Sequence, residues 1–80
     1  MKKLIEFIVS NIVDNPQKIK IEEEKEGSII RINLNVAEED MGKVIGKNGK
    51  IIKAIRNLAK IKAIKKGKKV FINLKEVSKV

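Results

Sequence analysis

Val44-Ile45-Gly46-Lys47-Asn48-Gly49-Lys50-Ile51-Ile52 combines two apolar pairs, two glycines three positions apart and two lysines. Glycines at that spacing let a backbone approach a ligand closely and take angles other residues avoid. Asn48 tolerates left-handed angles too. The loop opens onto a helix N-terminus, whose free N–H groups and dipole attract anions. Lys47 and Lys50 add full charges beside it, and Lys43 and Lys53 extend the site along a chain of phosphates. Each such contact would release counterions and make binding salt-sensitive. The plainer reading of the same residues is a helix–turn–helix corner in which the glycines only turn the chain. The stretch is not a Walker loop, which needs a longer glycine spacing and Gly-Lys-Ser/Thr. Nor is it a dinucleotide fingerprint, which needs a third glycine and a preceding strand.

Outward from this loop, the pattern predicts a short helix over about Asp40 to Ile45 and a longer one from Lys50 to about Ile64. The expected inner face of the longer helix is Ile51, Ala54, Ile55, Leu58 and Ala59, with Ile52 at its edge. Lys50, Lys53, Arg56 and Lys60 gather opposite. Upstream, Ile30, Ile32, Leu34 and Val36 alternate with Ile29, Arg31, Asn33 and Asn35, which predicts a strand over Ser28 to Val36. Lys18 to Glu24 reads as its antiparallel partner across the turn at Glu26-Gly27. Leu4, Ile5, Ile8, Val9, Ile12 and Val13 share one half of a helical wheel over residues 3 to 13, with Phe7 off that arc and Pro16 ending the segment. Downstream, Val70 to Leu74 reads as a last strand, and residues 76–80 as a short tail. The order α-β-β-α-α-β implies an α+β domain: a three-stranded mixed sheet covered on one face by helices. The last strand should return parallel through the helical crossover.

The chain has 80 residues, consistent with a single domain over 1–80 and a core of about 2–75. Histidine and cysteine are absent. That removes disulfides, the usual zinc sites, Cys nucleophiles and His general bases. The remaining candidates for catalysis are carboxylates and lysines that no pocket-lining pattern pairs, so no enzyme, cofactor, metal or small-molecule substrate is expected. The formal charge is +9 and unevenly placed. Residues 1–40 hold six basic and nine acidic side chains, and residues 41–80 hold thirteen basic side chains with Glu76 as the single acid. A Lys- and Ile-rich proteome explains many lysines but not why the acids avoid one half; the asymmetry points to an anion-binding face. No apolar run approaches the ~20 residues that span a bilayer. The N-terminal segment is interrupted at Glu6 and lacks a small-residue cleavage site, so a cytoplasmic location is expected.

The loop and its flanks resemble the signature of the KH domain, a single-stranded RNA- and DNA-binding module. The element order resembles the type II, bacterial arrangement of that fold. Val13-Asp14-Asn15-Pro16, Asp40-Met41-Gly42-Lys43-Val44-Ile45-Gly46-Lys47 and Ala54-Ile55-Arg56 are similar to the small stand-alone bacterial KH proteins of the KhpA type, over about residues 2 to 75. This resemblance implies a groove for about four nucleotides. Gly46, Lys47, Asn48 and Gly49 would clamp the sugar-phosphate backbone, flanked by Lys43, Lys50 and Lys53. Val44, Ile45 and Ile52 would form an apolar wall against the bases, with residues of the central strand opposite. Relatives often carry a longer polar residue in place of Asn48. Phe7 and Phe71, the only aromatics, cannot make the stacking platform of RNA-recognition sheets. Arg31 and Arg56 alone could give bidentate contacts.

The long helix has a phase problem. Continued regularly past Lys60, it turns Lys62 into the expected apolar arc, while Ile61 and Ile64 lie near the basic side. Either the last turn unwinds and repacks, or Ile61 and Ile64, with off-arc Phe7, form a partner surface. The resemblance implies self-association, a larger KH-containing RNA-binding partner, or both. It also implies a post-transcriptional regulator or RNA chaperone linked to cell elongation and division. The alternative is a dimerising scaffold with little or no direct nucleic-acid binding; single-stranded DNA in place of RNA is a variant of the first reading.

Overall fold

In the computed structural model, which describes residues 1–76, the first helix (α1, Lys2–Ser10) turns Ile5 and Val9 into the core. It ends before residue 13. The Ser10 hydroxyl and the Asn11 side-chain amide both donate to the Phe7 carbonyl, at 3.0 and 2.7 Å, and satisfy an acceptor at the helix end. Val13 still reaches the core from the turn that follows, where its N–H donates to the Val9 carbonyl. A single 3-10 turn at Pro16–Lys18, led by the proline, takes up the expected start of the first strand. That strand (β1) runs over Lys20–Glu26.

The second strand (β2, Ile29–Val36) buries Ile30, Ile32, Leu34 and Val36, as the alternation predicts. A 3-10 turn at Glu38–Asp40 leads into a short helix (α2, Met41–Ile45), and a second at Lys47–Gly49 leads into the long one (α3, Lys50–Lys65). The last strand (β3, Lys69–Glu76) extends further than Leu74 at its C-terminal end. Glu76 therefore belongs to the strand, and the rest of the expected tail, 77–80, lies outside the described residues.

The sheet order is β1-β2-β3. β1 pairs antiparallel with β2, Ile21 opposite Leu34, and β3 returns parallel to β2, Ile32 opposite Ile72. The α+β expectation, with a mixed three-stranded sheet and the helices on its apolar face, holds.

α3 is regular to Lys65, so its last turn does not unwind. Its buried line is Ile52, Ile55, Ala59 and Ala63; Ile51 is half-buried, while Ala54 and Leu58 face solvent. The expected inner face was therefore in the wrong phase. Ala59 and Ala63, both 0% exposed, are the residues that let the helix approach its neighbours closely. With that phase Lys62 points outward and poses no conflict. The helix closes on Gly67 (φ +69), with the Gly67 N–H donating to the Ile64 carbonyl and the Lys68 N–H to the Ala63 carbonyl, at 2.9 and 2.8 Å. This double bond pattern is a Schellman cap and fixes the turn into β3.

Candidate nucleic-acid interface

Three of the four loop residues require left-handed or otherwise glycine-favouring backbone: Gly46 (φ 75, ψ 174), Asn48 (φ 57, ψ 26) and Gly49 (φ 73, ψ 16). The two glycines serve different ends. A Cβ on Gly46 would lie 2.6 Å from Cγ1 of Ile51, so the turn can sit on the start of α3 only without a side chain there. A Cβ on Gly49 would meet nothing nearer than Lys53 Cε at 3.7 Å, leaving only the cost of its left-handed angles. Gly46→Ala is therefore expected to destabilise by about 2–3 kcal/mol and Gly49→Ala by about 1 kcal/mol. Urea unfolding of both variants checks this, and a reversed order would contradict the packing described.

Gly49 is the N-cap of α3, no side chain caps that end, and its first turn holds no acid. The Gly49 and Lys50 N–H groups donate to the Gly46 and Lys47 carbonyls inside the loop. No side chain caps the N–H groups that follow, and the positive end of a 16-residue helix faces an incoming anion with Lys47 and Lys50 exposed beside it. Lys53, one turn on, is exposed as well. Lys43 is also exposed, but its ammonium is paired with the Asp14 carboxylate. Part of its charge is committed to holding the loop's base. The expected apolar wall is corrected in part: Val44 and Ile52 are 0% and 6% exposed and brace the loop from beneath, whereas Ile45, at 36%, faces solvent.

Beneath this corner sits Asp40, the one buried charged side chain among the described residues. Its carboxylate accepts from the Asp14 N–H at 3.1 Å, the Asn15 N–H at 3.0 Å and the Asn15 side-chain amide at 3.1 Å. The segments 13–16 and 40–47, distant in sequence, thus meet in one hydrogen-bonded corner. Nothing in the sequence marks which of the consecutive acids Glu38, Glu39 and Asp40 is the buried one.

From the loop, α3 runs along the free edge of β3 and leaves an open groove of about 290 Å³ lined by Arg56, Asn57, Lys60 and Val70–Asn73. The strand facing α3 is therefore the edge strand β3, not the central β2. Arg56 Nη2 donates to the Ile72 carbonyl at 3.3 Å, covering a polar group that the sheet leaves unpaired. Asn57, Lys60, Phe71 and Asn73 were not singled out as site residues from sequence. Their grouping depends on how β3 docks beside α3, which no local pattern encodes.

Charge is sorted across the sheet. Glu22, Glu23, Glu24 and Glu26 lie on β1, the edge away from the groove, and Arg31 is paired with Glu26 at 3.2 Å. Lys20 and Lys25 share β1 with these four acids, whereas α3, its closing turn and the start of β3 carry lysines with no acid among them. A polyanion is therefore repelled from one edge and drawn to the other. Phe7, Ile61 and Ile64 are 69%, 56% and 61% exposed. Ile64 joins Val70 and Phe71 in a second groove, while Phe7 stands on α1. No group of three or more His, Cys, Asp or Glu that could hold a metal occurs among the described residues. No described helix is long and apolar enough to cross a membrane.

The family model of the KhpA/KhpB KH domain matches residues 2–74. This chain belongs to the KhpA/KhpB KH-domain family. It is 46% identical over 74 residues to the RNA-binding protein KhpA of Clostridium perfringens, covering 92% of this chain and 99% of that one. The RNA-binding protein KhpA of Halalkalibacterium halodurans is 38% identical over 74 residues, 92% of this chain and 97% of that one. These KhpA relatives carry the names of binding proteins, not of enzymes. Among solved structures, Aquifex aeolicus Era bound to GDP.AlF4- aligns with a TM-score of 0.62 at 18% identity, over 94% of this chain and 30% of that one. Era in complex with MgGDPNP and nucleotides 1506-1542 of 16S ribosomal RNA aligns equally well. At that identity the likeness to Era establishes the fold alone. The KhpA-type resemblance read from the loop is thus the family to which the chain belongs.

Proposed function

We propose that this chain acts as a single KH domain over residues 1–80 that binds single-stranded RNA in the cytoplasm and catalyses no reaction. The observation that carries this reading is the uncapped, acid-free N-terminus of α3, entered through Gly46-Lys47-Asn48-Gly49 with Lys47 and Lys50 exposed beside it. Gly46 to Gly49 clamp the sugar-phosphate backbone, and Lys50, Lys53 and the N–H donors of Lys43 not turned to Asp14 extend the contact. The relatives named as RNA-binding proteins support RNA over DNA. The cellular role that goes with the reading is post-transcriptional regulation or RNA chaperoning linked to cell elongation and division.

Fluorescence anisotropy with a labelled single-stranded RNA across a salt series tests it. Three to four phosphate contacts give a log–log slope of roughly −2 to −3, at about −0.7 per contact for single strands. A flat salt dependence would favour the second reading. That reading is a dimerising scaffold or a partner of a larger KH protein, and it draws on the solvent-facing Ile61, Ile64 and Phe7. Sedimentation that finds only monomer well above cellular concentration would remove its dimerising form.

A further inference from the structure

Among the lysines around the loop, Lys43 differs from Lys47, Lys50 and Lys53 in having a carboxylate set against its ammonium, that of Asp14. Lys43 lies in the last turn of α2, just before Gly46, whose N–H donates to the Gly42 carbonyl at 2.9 Å. The place of Asp14 is fixed as well. Its N–H and that of Asn15 donate to the buried Asp40 carboxylate at 3.1 and 3.0 Å, and Asp40 is the N-cap of α2. One corner therefore holds both ends of the pair, Asp14 through its backbone and Lys43 through the helix. The Asp14 side chain is itself 72% exposed. The neighbouring Glu39 carboxylate is engaged elsewhere, with the Lys18 ammonium at 3.7 Å and the Asn15 amide at 3.3 Å.

We infer that Asp14 sets the affinity of the loop clamp, as an internal competitor that an RNA phosphate must displace before Lys43 contributes fully. The inference rests on the RNA-binding reading above. A carboxylate and a phosphate are both oxyanions and accept from the same ammonium donors, so Asp14 occupies at Lys43 what a phosphate would otherwise take. Trading one oxyanion for another releases fewer counterions than binding to an unpaired ammonium, which makes the salt dependence of the wild-type chain shallower. The pair is exposed to solvent, so it is weak enough to open. It lowers affinity a few-fold and does not abolish binding. The segment Val13–Pro16, otherwise a structural corner, thereby takes a part in tuning the clamp.

Anisotropy of a short labelled oligouridylate over a salt series, with the wild type, Asp14→Asn, Lys43→Gln and the double variant, tests this role. Asp14→Asn should bind about three- to fivefold more tightly at near-physiological salt, the scale of one exposed charge pair. Its log–log salt slope should steepen by up to about 0.7, one phosphate contact on a single strand. Asp14→Ala should gain as much, because the bond to Asp40 runs through the backbone N–H and survives. In the Lys43→Gln background the gain from Asp14→Asn should fall below about twofold, since the ammonium it would release is gone. Unchanged or weaker binding by both Asp14 variants would overturn the inference and make the pair a brace of the corner. A gain of equal size with and without Lys43 would overturn it too, because Asp14 would then act as a general repulsive charge. Absence of salt-dependent binding in the wild type and in every variant would overturn the RNA reading itself, and the inference with it.

Discussion

Replacing Lys47 and Asn48 together with aspartate is expected to weaken binding of a short single-stranded RNA at least ~100-fold at near-physiological salt and to leave the fold intact. One cation is removed and two anions are placed at the mouth of the α3 N-terminus, where a phosphate is to sit. Losing a single charge-assisted contact costs about 1.5–3 kcal/mol, and each 1.4 kcal/mol is tenfold in affinity. Repulsion at the same point adds to the loss. The fold survives because both side chains are exposed, and because aspartate shares with asparagine the ability to hold the left-handed angles at position 48. Circular dichroism and thermal unfolding within a few degrees of the wild type establish the second half of the prediction. Binding retained within a few-fold would place the clamp elsewhere.

Asp40→Ala should act in the opposite way, on stability first. The carboxylate receives two backbone N–H groups and one side-chain amide at 3.0–3.1 Å in a fully buried position. Its removal leaves the Asp14 and Asn15 N–H groups and the Asn15 amide without this acceptor in a part-buried corner, where each loss costs about 1 kcal/mol, the low end of the range for an unsatisfied donor. A total near ~3 kcal/mol is a large part of the 5–15 kcal/mol that holds a typical domain together. The midpoint of thermal unfolding should fall by roughly 10–20 °C. Asp40→Asn keeps one acceptor oxygen and should lose about half as much. If Asp40→Ala unfolds with the wild-type midpoint, the corner is held by its apolar neighbours and not by the carboxylate.

Asp40 also shows where sequence reading stops. The alternation of Ile30, Ile32, Leu34 and Val36 has one solution, because a strand has a period of two and a slip of one residue would expose the whole set. The loop was legible for a similar reason, since Gly46 and Gly49 mark backbone angles that other residues avoid. α3 was harder. Ile51, Ile52, Ile55, Leu58, Ile61 and Ile64 surround the helix on several sides, so more than one arc satisfies the pattern. Packing selects the arc that carries Ala59 and Ala63 at the point of closest approach. Among the acids 38–40 no local rule selects Asp40, because its partners, Asp14 and Asn15, lie far away in the chain. The grooves along β3 were hidden likewise, because they arise from a strand and a helix that meet only after the crossover is made.

Amide chemical-shift mapping of the chain with an unlabelled single-stranded RNA tests the proposed interface most directly. The account predicts the largest changes at Gly46 to Ile52, a second group at Arg56 to Lys60 and Val70 to Asn73, and a silent β1. Changes centred on β1 or the outer face of the sheet, with the Gly46–Gly49 amides unmoved, would contradict it.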